Sequence, residues 1–305
     1  DREAQKLAYG KNNPYAREPQ YATVAAVTRA DLLDWYRQHV APNNMILGLV
    51  GDFDSAQMEK KLRDAFAGWP RGPQVKKPEI PLQPAKAGLY VVDKADVNQS
   101  EIRFVTLGIE RSNPDYFAVQ VMNQVLSGGF ASRLMAELRT KRGLAYAVGG
   151  RLGAEWDHPG IFYLTIATKT ATAVEAIQGM RQAMAQFKAD PPSESELKFA
   201  KDAILNSFIF RFDTPAKVLR ERMTCDFYGY QLNFLEIYRD KVEKVTARDV
   251  NRVVRKYVHP QKFAVLVVGN LKDFEKPLAA LGPATKIDIS TPGAAETAAS
   301  AAPAR

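Results

Sequence analysis

"VTRADLLDWYRQHVAPNNMILGLVGDF" (27–53) and "VTARDVNRVVRKYVHPQKFAVLVVGNL" (245–271) align without gaps at an offset of 218 residues. Eight of 27 positions are identical: Val27/Val245, Thr28/Thr246, Asp31/Asp249, Arg37/Arg255, Val40/Val258, Pro42/Pro260, Val50/Val268 and Gly51/Gly269. The order of elements agrees as well. Thr28 and Thr246 each offer a hydroxyl that can cap a helix. Apolar residues at helical spacing follow, a proline stops the helix, and an apolar run closed by glycine reads as a strand. Upstream of each copy, one residue out of step, stands a Tyr-Gly pair: Tyr9-Gly10 and Tyr228-Gly229.

A period this long indicates duplication of a domain rather than a solenoid. The second copy is preceded by a full domain's worth of chain, from about Gly88 to Lys276, whereas the first has only a last third. With copies of equal size, roughly 130 residues are expected to precede Asp1 in the parent protein. Between the copies, Pro70, Pro73, Pro78, Pro81 and Pro84 stiffen a stretch that cannot form regular structure. The expected organisation is therefore the C-terminal part of a first domain over 1–70, a proline-rich linker over 71–87, a complete second domain over 88–276, and a low-complexity tail over 277–305.

A length of 305 residues suits about two domains. Apolar content of 46% and charged content of 25% are those of an ordinary globular protein. The excess of eight positive charges is modest and spread along the chain, so composition does not indicate a nucleic-acid partner. The single cysteine, Cys225, excludes an internal disulfide and a cysteine-based metal cage; it reads as a small apolar residue on a helix. No apolar run reaches the ~18 residues of a membrane-spanning helix.

In the second domain, 88–94, 100–108, 144–151, 160–168 and 263–268 read as strands. Helices are expected over about 115–126, 132–142, 171–189, 194–209, 215–229, 233–243 and 246–258. Ser132 can cap the second of these, whose buried face would carry Leu134, Met135 and Leu138. Ser193 and Glu196 form a capping box. Strands that precede and then enclose a block of helices argue for an α+β fold. The expectation is two homologous domains, the first truncated, each a mainly antiparallel sheet with helices packed on one face.

The junction "LRTKRGLAYAVGG" (138–150) is the candidate site. Arg139 lies near the end of a helix and Tyr146 seven residues later, in the expected strand. Leu144, Tyr146 and Val148 would share one face of that strand, and Ala145 and Ala147 the other. A guanidinium can hold peptide carbonyls or a carboxylate, and a phenol can donate to a carbonyl or an oxyanion. Spacing alone equally allows an exposed basic helix end and a half-buried tyrosine.

The longer stretch "LSGGFASRLMAELRTKRGLAY" (126–146) resembles the second-domain signature of the pitrilysin family of metallopeptidases. The family includes insulin-degrading enzyme and the mitochondrial processing peptidases. "YGKNNPYAREP", "NNMILGLVGDF", "DFYGY" and "VTARDVNRVVRKYVHP" fall in family order, so the resemblance runs from about Ala4 to Lys276. It implies two homologous αβ domains around a chamber, with a zinc motif, His-x-x-Glu-His plus a downstream Glu, in one such domain. It also implies an Arg–Tyr pair on a partner domain, matched here by Arg139 and Tyr146, that binds the substrate backbone and stabilises the transition state. Gly128, Gly129 and Phe130 match the turn before this helix and are expected to be structural.

Zinc chemistry needs ligands at suitable spacing, commonly two histidines on one helix face. The three histidines, His39, His158 and His259, are far apart and read as surface or cap residues. Glu194 and Glu196 belong to a helix start. The chain alone is expected to hold no metal and to hydrolyse no peptide. Two readings of the parent stay open. It is either the zinc-less subunit that supplies Arg139 and Tyr146 to a zinc-bearing homologous partner, or a complete metallopeptidase whose zinc motif lies upstream of Asp1. Asn13 stands where zinc-bearing relatives often have a histidine before Pro-Tyr, and this leans toward the first. A third possibility is a structural core-type subunit. The basic helix 246–258 offers a nucleic-acid alternative, but Arg248, Arg252 and Lys256 fit a solvated face opposite Val250, Val253, Val254 and Tyr257. The resemblance favours a peptide substrate, a homologous subunit as partner, and the periplasm.

Overall fold

The β-branched runs of the second half assemble into one seven-stranded sheet. In the computed structural model, which describes residues 1–290, the strands are β1 (Gly88–Asp93), β2 (Gln99–Leu107), β3 (Ile109–Glu110), β4 (Ala147–Glu155), β5 (Pro159–Lys169), β6 (Ala264–Gly269) and β7 (Ala284–Lys286). Their spatial order is β3-β4-β5-β2-β6-β1-β7. The three central pairings, β4–β5, β5–β2 and β2–β6, are antiparallel. The outer ones, β6–β1, β1–β7 and β3–β4, are parallel. The sheet is thus mixed, with antiparallel pairing confined to the long middle strands. Hairpin neighbours pair antiparallel, while β6 returns beside β1 only after a long helical crossover, and such a return can run parallel.

Strict alternation along β5 buries Phe162, Leu164, Ile166 and Thr168 on one face. Ile102 and Phe104 of β2 and Val148 and Leu152 of β4 lie on that face too. Helix α5 (Tyr116–Ser127) packs on β4, and helix α6 (Ala173–Ala189) packs on β5 and β2. Helix α10 (Ala247–Tyr257) covers α5 and α6 through Val250, Val253 and Val254, all buried, as its apolar stripe requires. Helix α7 (Glu194–Phe208) flanks α5. Its start is the expected capping box: Ser193 N–H donates to Glu196 Oε2 at 2.9 Å, and Glu196 N–H donates to Ser193 Oγ at 3.2 Å.

Helices do not keep to one face. Helix α1 (Arg2–Tyr9) covers the opposite side of β2 and β6, where Leu7, Ala8 and Tyr9 pack with Val92, Val105, Ala264 and Leu266. β6 is apolar on both faces, so both must be covered, and this is why it reads as an unbroken hydrophobic run. Residues 1–17 consequently belong with this sheet, although they precede the first of the two aligned segments. Two backbone bonds hold the end of the proline-rich stretch to them, Gln83 N–H to Tyr9 C=O (3.0 Å) and Ala85 N–H to Leu7 C=O (2.8 Å). Asn13 is buried and structural: its amide donates to Pro81 C=O (2.9 Å) and its oxygen accepts from Tyr15 N–H (3.0 Å). The unit built on this sheet comprises Asp1–Arg17, Pro81–Phe208 and Leu235–Ser290. Part of the stretch expected as a tail, Ala284–Lys286, is a strand beside β1; residues 291–305 lie outside the described residues.

The second unit comprises Glu18–Ile80 and Ile209–Phe234. It contains α2 (Tyr21–Ala25), α3 (Arg29–His39), α4 (Ser55–Phe66) and α8 (Pro215–Tyr228), with Cys225 buried on α8 as expected. The two aligned segments, 27–53 and 245–271, start alike. Thr28 and Asp31 form a capping box on α3, and Thr246 and Asp249 form the same box on α10. Both helices end at a valine of similar conformation, Val40 and Val258, ahead of a proline-led 3₁₀ turn. They diverge at the strand. Residues 45–50 carry no strand assignment, because no described segment pairs with them. Leu32, Trp35 and Tyr36 are 63%, 59% and 53% exposed, whereas their equivalents Val250, Val253 and Val254 are buried.

Candidate functional site

The helix expected over 132–142 is a π-helix over Met135–Lys141. π-helical turns are rare and recur at functional sites because they re-aim side chains relative to an α-helix. Leu134, Met135 and Leu138 form its buried face, as periodicity suggested. Leu138 leans on α6 at Gly179, where an added Cβ would lie 2.9 Å from Leu138 Cδ2. Ser132 does not cap the helix. Its hydroxyl donates back to Gly129 C=O at 2.6 Å and so closes the preceding turn.

The basic residues of this helix have different fates. Glu137 accepts from Arg142 Nε at 2.9 Å and pairs with Lys141 Nζ at 3.2 Å. The Arg142 guanidinium beside it, aided by Lys141, holds the Glu137 carboxyl below the usual carboxylate range. Arg142 also donates to Gln182 Oε1 of α6 at 2.8 Å. Arg133 makes a two-pronged pair with Glu196, 2.7 and 2.8 Å, and donates to Asp190 C=O and Pro191 C=O. That pairing pulls Glu196 down to about 2, so the capping carboxylate stays charged. Arg139 alone of these arginines has no hydrogen bond or ion pair from its side chain among the described residues. Its guanidinium lies over the ring of Phe130, 5.5 Å from the centroid.

Gly143, in the left-handed region, ends the π-helix, and Leu144 N–H donates back to Leu138 C=O at 2.9 Å. The chain therefore turns tightly between Arg139 and Tyr146. The strand begins at Ala147 rather than Leu144. For this reason the expected sharing of a face by Leu144, Tyr146 and Val148 fails: Val148 is buried, while Tyr146 precedes the strand and is 52% exposed. Tyr146 is fixed through its backbone, N–H to Ala167 C=O at 2.9 Å, and its hydroxyl has no partner among the described residues. Arg139 and Tyr146 thus flank one turn as exposed donors, one a five-donor cationic fork and the other a neutral hydroxyl.

The elements that carry this turn are held from behind. Asn123 of α5 bridges to β4, donating to Leu152 C=O (3.0 Å) and accepting Leu152 N–H (2.8 Å). Ser127 Oγ donates to Gly150 C=O at 2.6 Å. At the other end of α5, the carboxylate of buried Asp115 accepts from Arg252 Nη1 (2.5 Å), Lys256 Nζ (2.7 Å) and Tyr257 Oη (2.7 Å). Burial pushes its pKa up, but the three donors outweigh burial and hold it at about 2. Arg252 and Lys256, expected to face only water, are therefore structural ligands of a carboxylate. Periodicity could not reveal this, since Asp115 is more than 130 residues away in sequence.

Among the described residues no three His, Cys, Asp or Glu side chains converge. Each histidine is engaged elsewhere. His39 stacks on Trp35 and its Nδ1 meets Trp35 C=O at 2.8 Å. His158 stacks on Tyr15 and pairs with Asp157 at 2.7 Å. His259 Nδ1 lies 3.1 Å from Lys188 Nζ. What this surface offers chemically is hydrogen-bond donation, not metal ligation.

Residues 26–204 match the family described as the peptidase M16 inactive domain. The chain is 26% identical over 247 residues to the non-peptidase homologue YmxG of Helicobacter pylori, covering 79% of this chain and 56% of that protein. It is 23% identical over 249 residues to the uncharacterised zinc protease ML0855 of Mycobacterium leprae, covering 81% and 56% respectively. The crystal structure of a peptidase M16 inactive domain from Pseudomonas fluorescens superposes with a TM-score of 0.79 at 28% identity, over 91% of this chain and 66% of that one. The chain spans about half the length of the curated relatives it matches. With a family model covering more than half of its residues, the chain belongs to the family described as the peptidase M16 inactive domain, among the pitrilysin-type zinc-protease homologues.

Proposed function

We propose that this chain supplies the peptide-gripping wall of an M16 peptidase, acting with a homologous subunit that carries the metal. Arg139 donates to main-chain carbonyls of an extended peptide, and Tyr146 donates to the carbonyl oxygen that gains negative charge during hydrolysis. A donor aimed at a developing oxyanion contributes more than one aimed at a neutral carbonyl, because its hydrogen bond strengthens as the charge appears. No zinc-dependent step is assigned to these residues.

The observation that carries the reading is the contrast in charge use. Lys141, Arg142 and Arg133 are each tied to a carboxylate, whereas among the described residues Arg139 has no such partner and lies one tight turn from a tyrosine hydroxyl that has none either. The test is peptide turnover by the assembled enzyme with Arg139→Ala and Tyr146→Phe. Each is expected to lower kcat/KM by about tenfold or more, the worth of a hydrogen bond to a charged group. Unchanged turnover in the double variant, with the fold intact by circular dichroism, would end the proposal.

A second reading has its own support in relatives such as the Mycobacterium leprae protein, whose name includes zinc protease. In it the same pair serves a polypeptide that also holds its own zinc. Metal content of the full-length protein separates the two: one zinc per polypeptide favours the second, none the first.

A further inference from the structure

Phe130 is the most exposed large apolar side chain among the described residues, at 78%. In the sheet-bearing unit only two others, Tyr146 and Phe199, are exposed. One of the three, Phe130, lies against Arg139, and Tyr146 follows Arg139 by seven residues, across one tight turn of the chain. A single exposed ring needs no partner, but one held beside a guanidinium that has no ion pair among the described residues is open to be covered by a ligand's apolar group, and a phenyl group gains from leaving water.

The ring is held out by its turn. Gly128 N–H donates to Gln124 C=O at 3.0 Å and the Gln124 amide donates to Gly128 C=O at 2.9 Å. Gly129 takes a φ of 94°, open to glycine and costly for other residues. Its carbonyl accepts both Ser132 N–H (3.1 Å) and Ser132 Oγ (2.6 Å). With both flanks of the turn bonded, Phe130 is displayed rather than left loose. Its ring face attracts the Arg139 guanidinium, restricting that long side chain while using none of its N–H donors.

Resting on the Arg139–Tyr146 reading, we infer that Phe130 is a specificity-determining residue: it covers one large apolar side chain of the bound peptide and steadies Arg139 over the adjoining main chain. The substrate class that follows is extended peptide with an aromatic or large aliphatic residue beside the carbonyl that Arg139 holds. Phe130 has no polar group to satisfy a charged side chain, and its neighbour Arg139 would be spent on an acidic one.

The test uses the full-length protein that carries this chain, in chelator so that no cleavage intrudes. Fluorescence anisotropy measures binding of two labelled extended peptides that differ only by Phe or Ala at one internal position, scanned along the peptide. The native protein is expected to prefer the Phe peptide by about tenfold at one position, as for half-covering an apolar side chain. Phe130→Ala should bring that ratio close to one, while Phe130→Leu should keep most of it. Arg139→Ala should weaken both peptides and leave the ratio largely in place. If Arg139→Ala weakens binding but Phe130→Ala leaves the ratio unchanged, the specificity role falls and the Arg–Tyr reading stands. If Arg139→Ala changes neither peptide, the underlying reading falls, and this inference with it.

Discussion

Replacing Asp115 by Asn should unfasten the frame that carries the candidate site, and the size of the effect follows from the structure. The carboxylate is 5% exposed and takes three donors from α10. Its pKa falls from 3.8 to about 2. At 1.36 kcal/mol per pKa unit, that shift corresponds to about 2.4 kcal/mol of native stability. Arg252 and Lys256 are each about half exposed, so screening reduces the figure, and about 2 kcal/mol is expected at pH 7. A depressed carboxylate pKa stabilises the fold at pH values above the unfolded pKa. That contribution is lost as pH falls through the folded value. The difference between native and Asp115→Asn proteins should hold steady from pH 7 to pH 5. It should fall to about half near pH 3 and be nearly gone at pH 2. Urea unfolding followed by far-ultraviolet circular dichroism at each pH measures it. A difference below ~0.5 kcal/mol at pH 7, or one that does not shrink between pH 5 and pH 3, would refute the reasoning.

Gly129→Ala should cost about 1–2 kcal/mol, because φ of 94° is strained for alanine although an added Cβ meets no atom within 4 Å; thermal unfolding reads it directly. Thr246→Ala removes the cap of α10 and should destabilise by about 1 kcal/mol in urea titrations. Arg133→Met should destabilise by about 1–3 kcal/mol, since it breaks the two-pronged pair with Glu196 and two carbonyl contacts. The same substitution should raise the Glu196 pKa from about 2 toward ordinary values, visible by carbon-detected NMR titration.

Much of the frame was legible because it is local. The hydroxyl caps at Thr28 and Thr246 and the capping box at Ser193 are contained within four residues each; all form, and Asp31 and Asp249 complete the first two as boxes. The buried stripe Val250, Val253, Val254 follows from helical spacing alone. The five main strands announce themselves as β-branched runs, and their cores lie where expected. The short strands β3 and β7 did not, since two or three residues carry no periodicity. At the site, Arg139 and Tyr146 were singled out by motif resemblance. Their exposure, and the pairing of every neighbouring arginine, required coordinates. Phe130 was read as part of a turn, and its display to solvent beside Arg139 has no signature in a string of letters.

By itself the sequence determined the helix starts, the proline stops, the strand-forming runs and the absence of any zinc-ligand spacing, because each depends on residues close together in the chain. Only the tertiary structure decided which strands run parallel, that α1 covers the sheet's second face, that Asp115 gathers two cations from α10, and that no described segment pairs with residues 45–50. The physical reason is common to all of these. A strand, a buried carboxylate and an apolar face are each stabilised by partners distant in sequence, so the same residues adopt different states according to what packs against them.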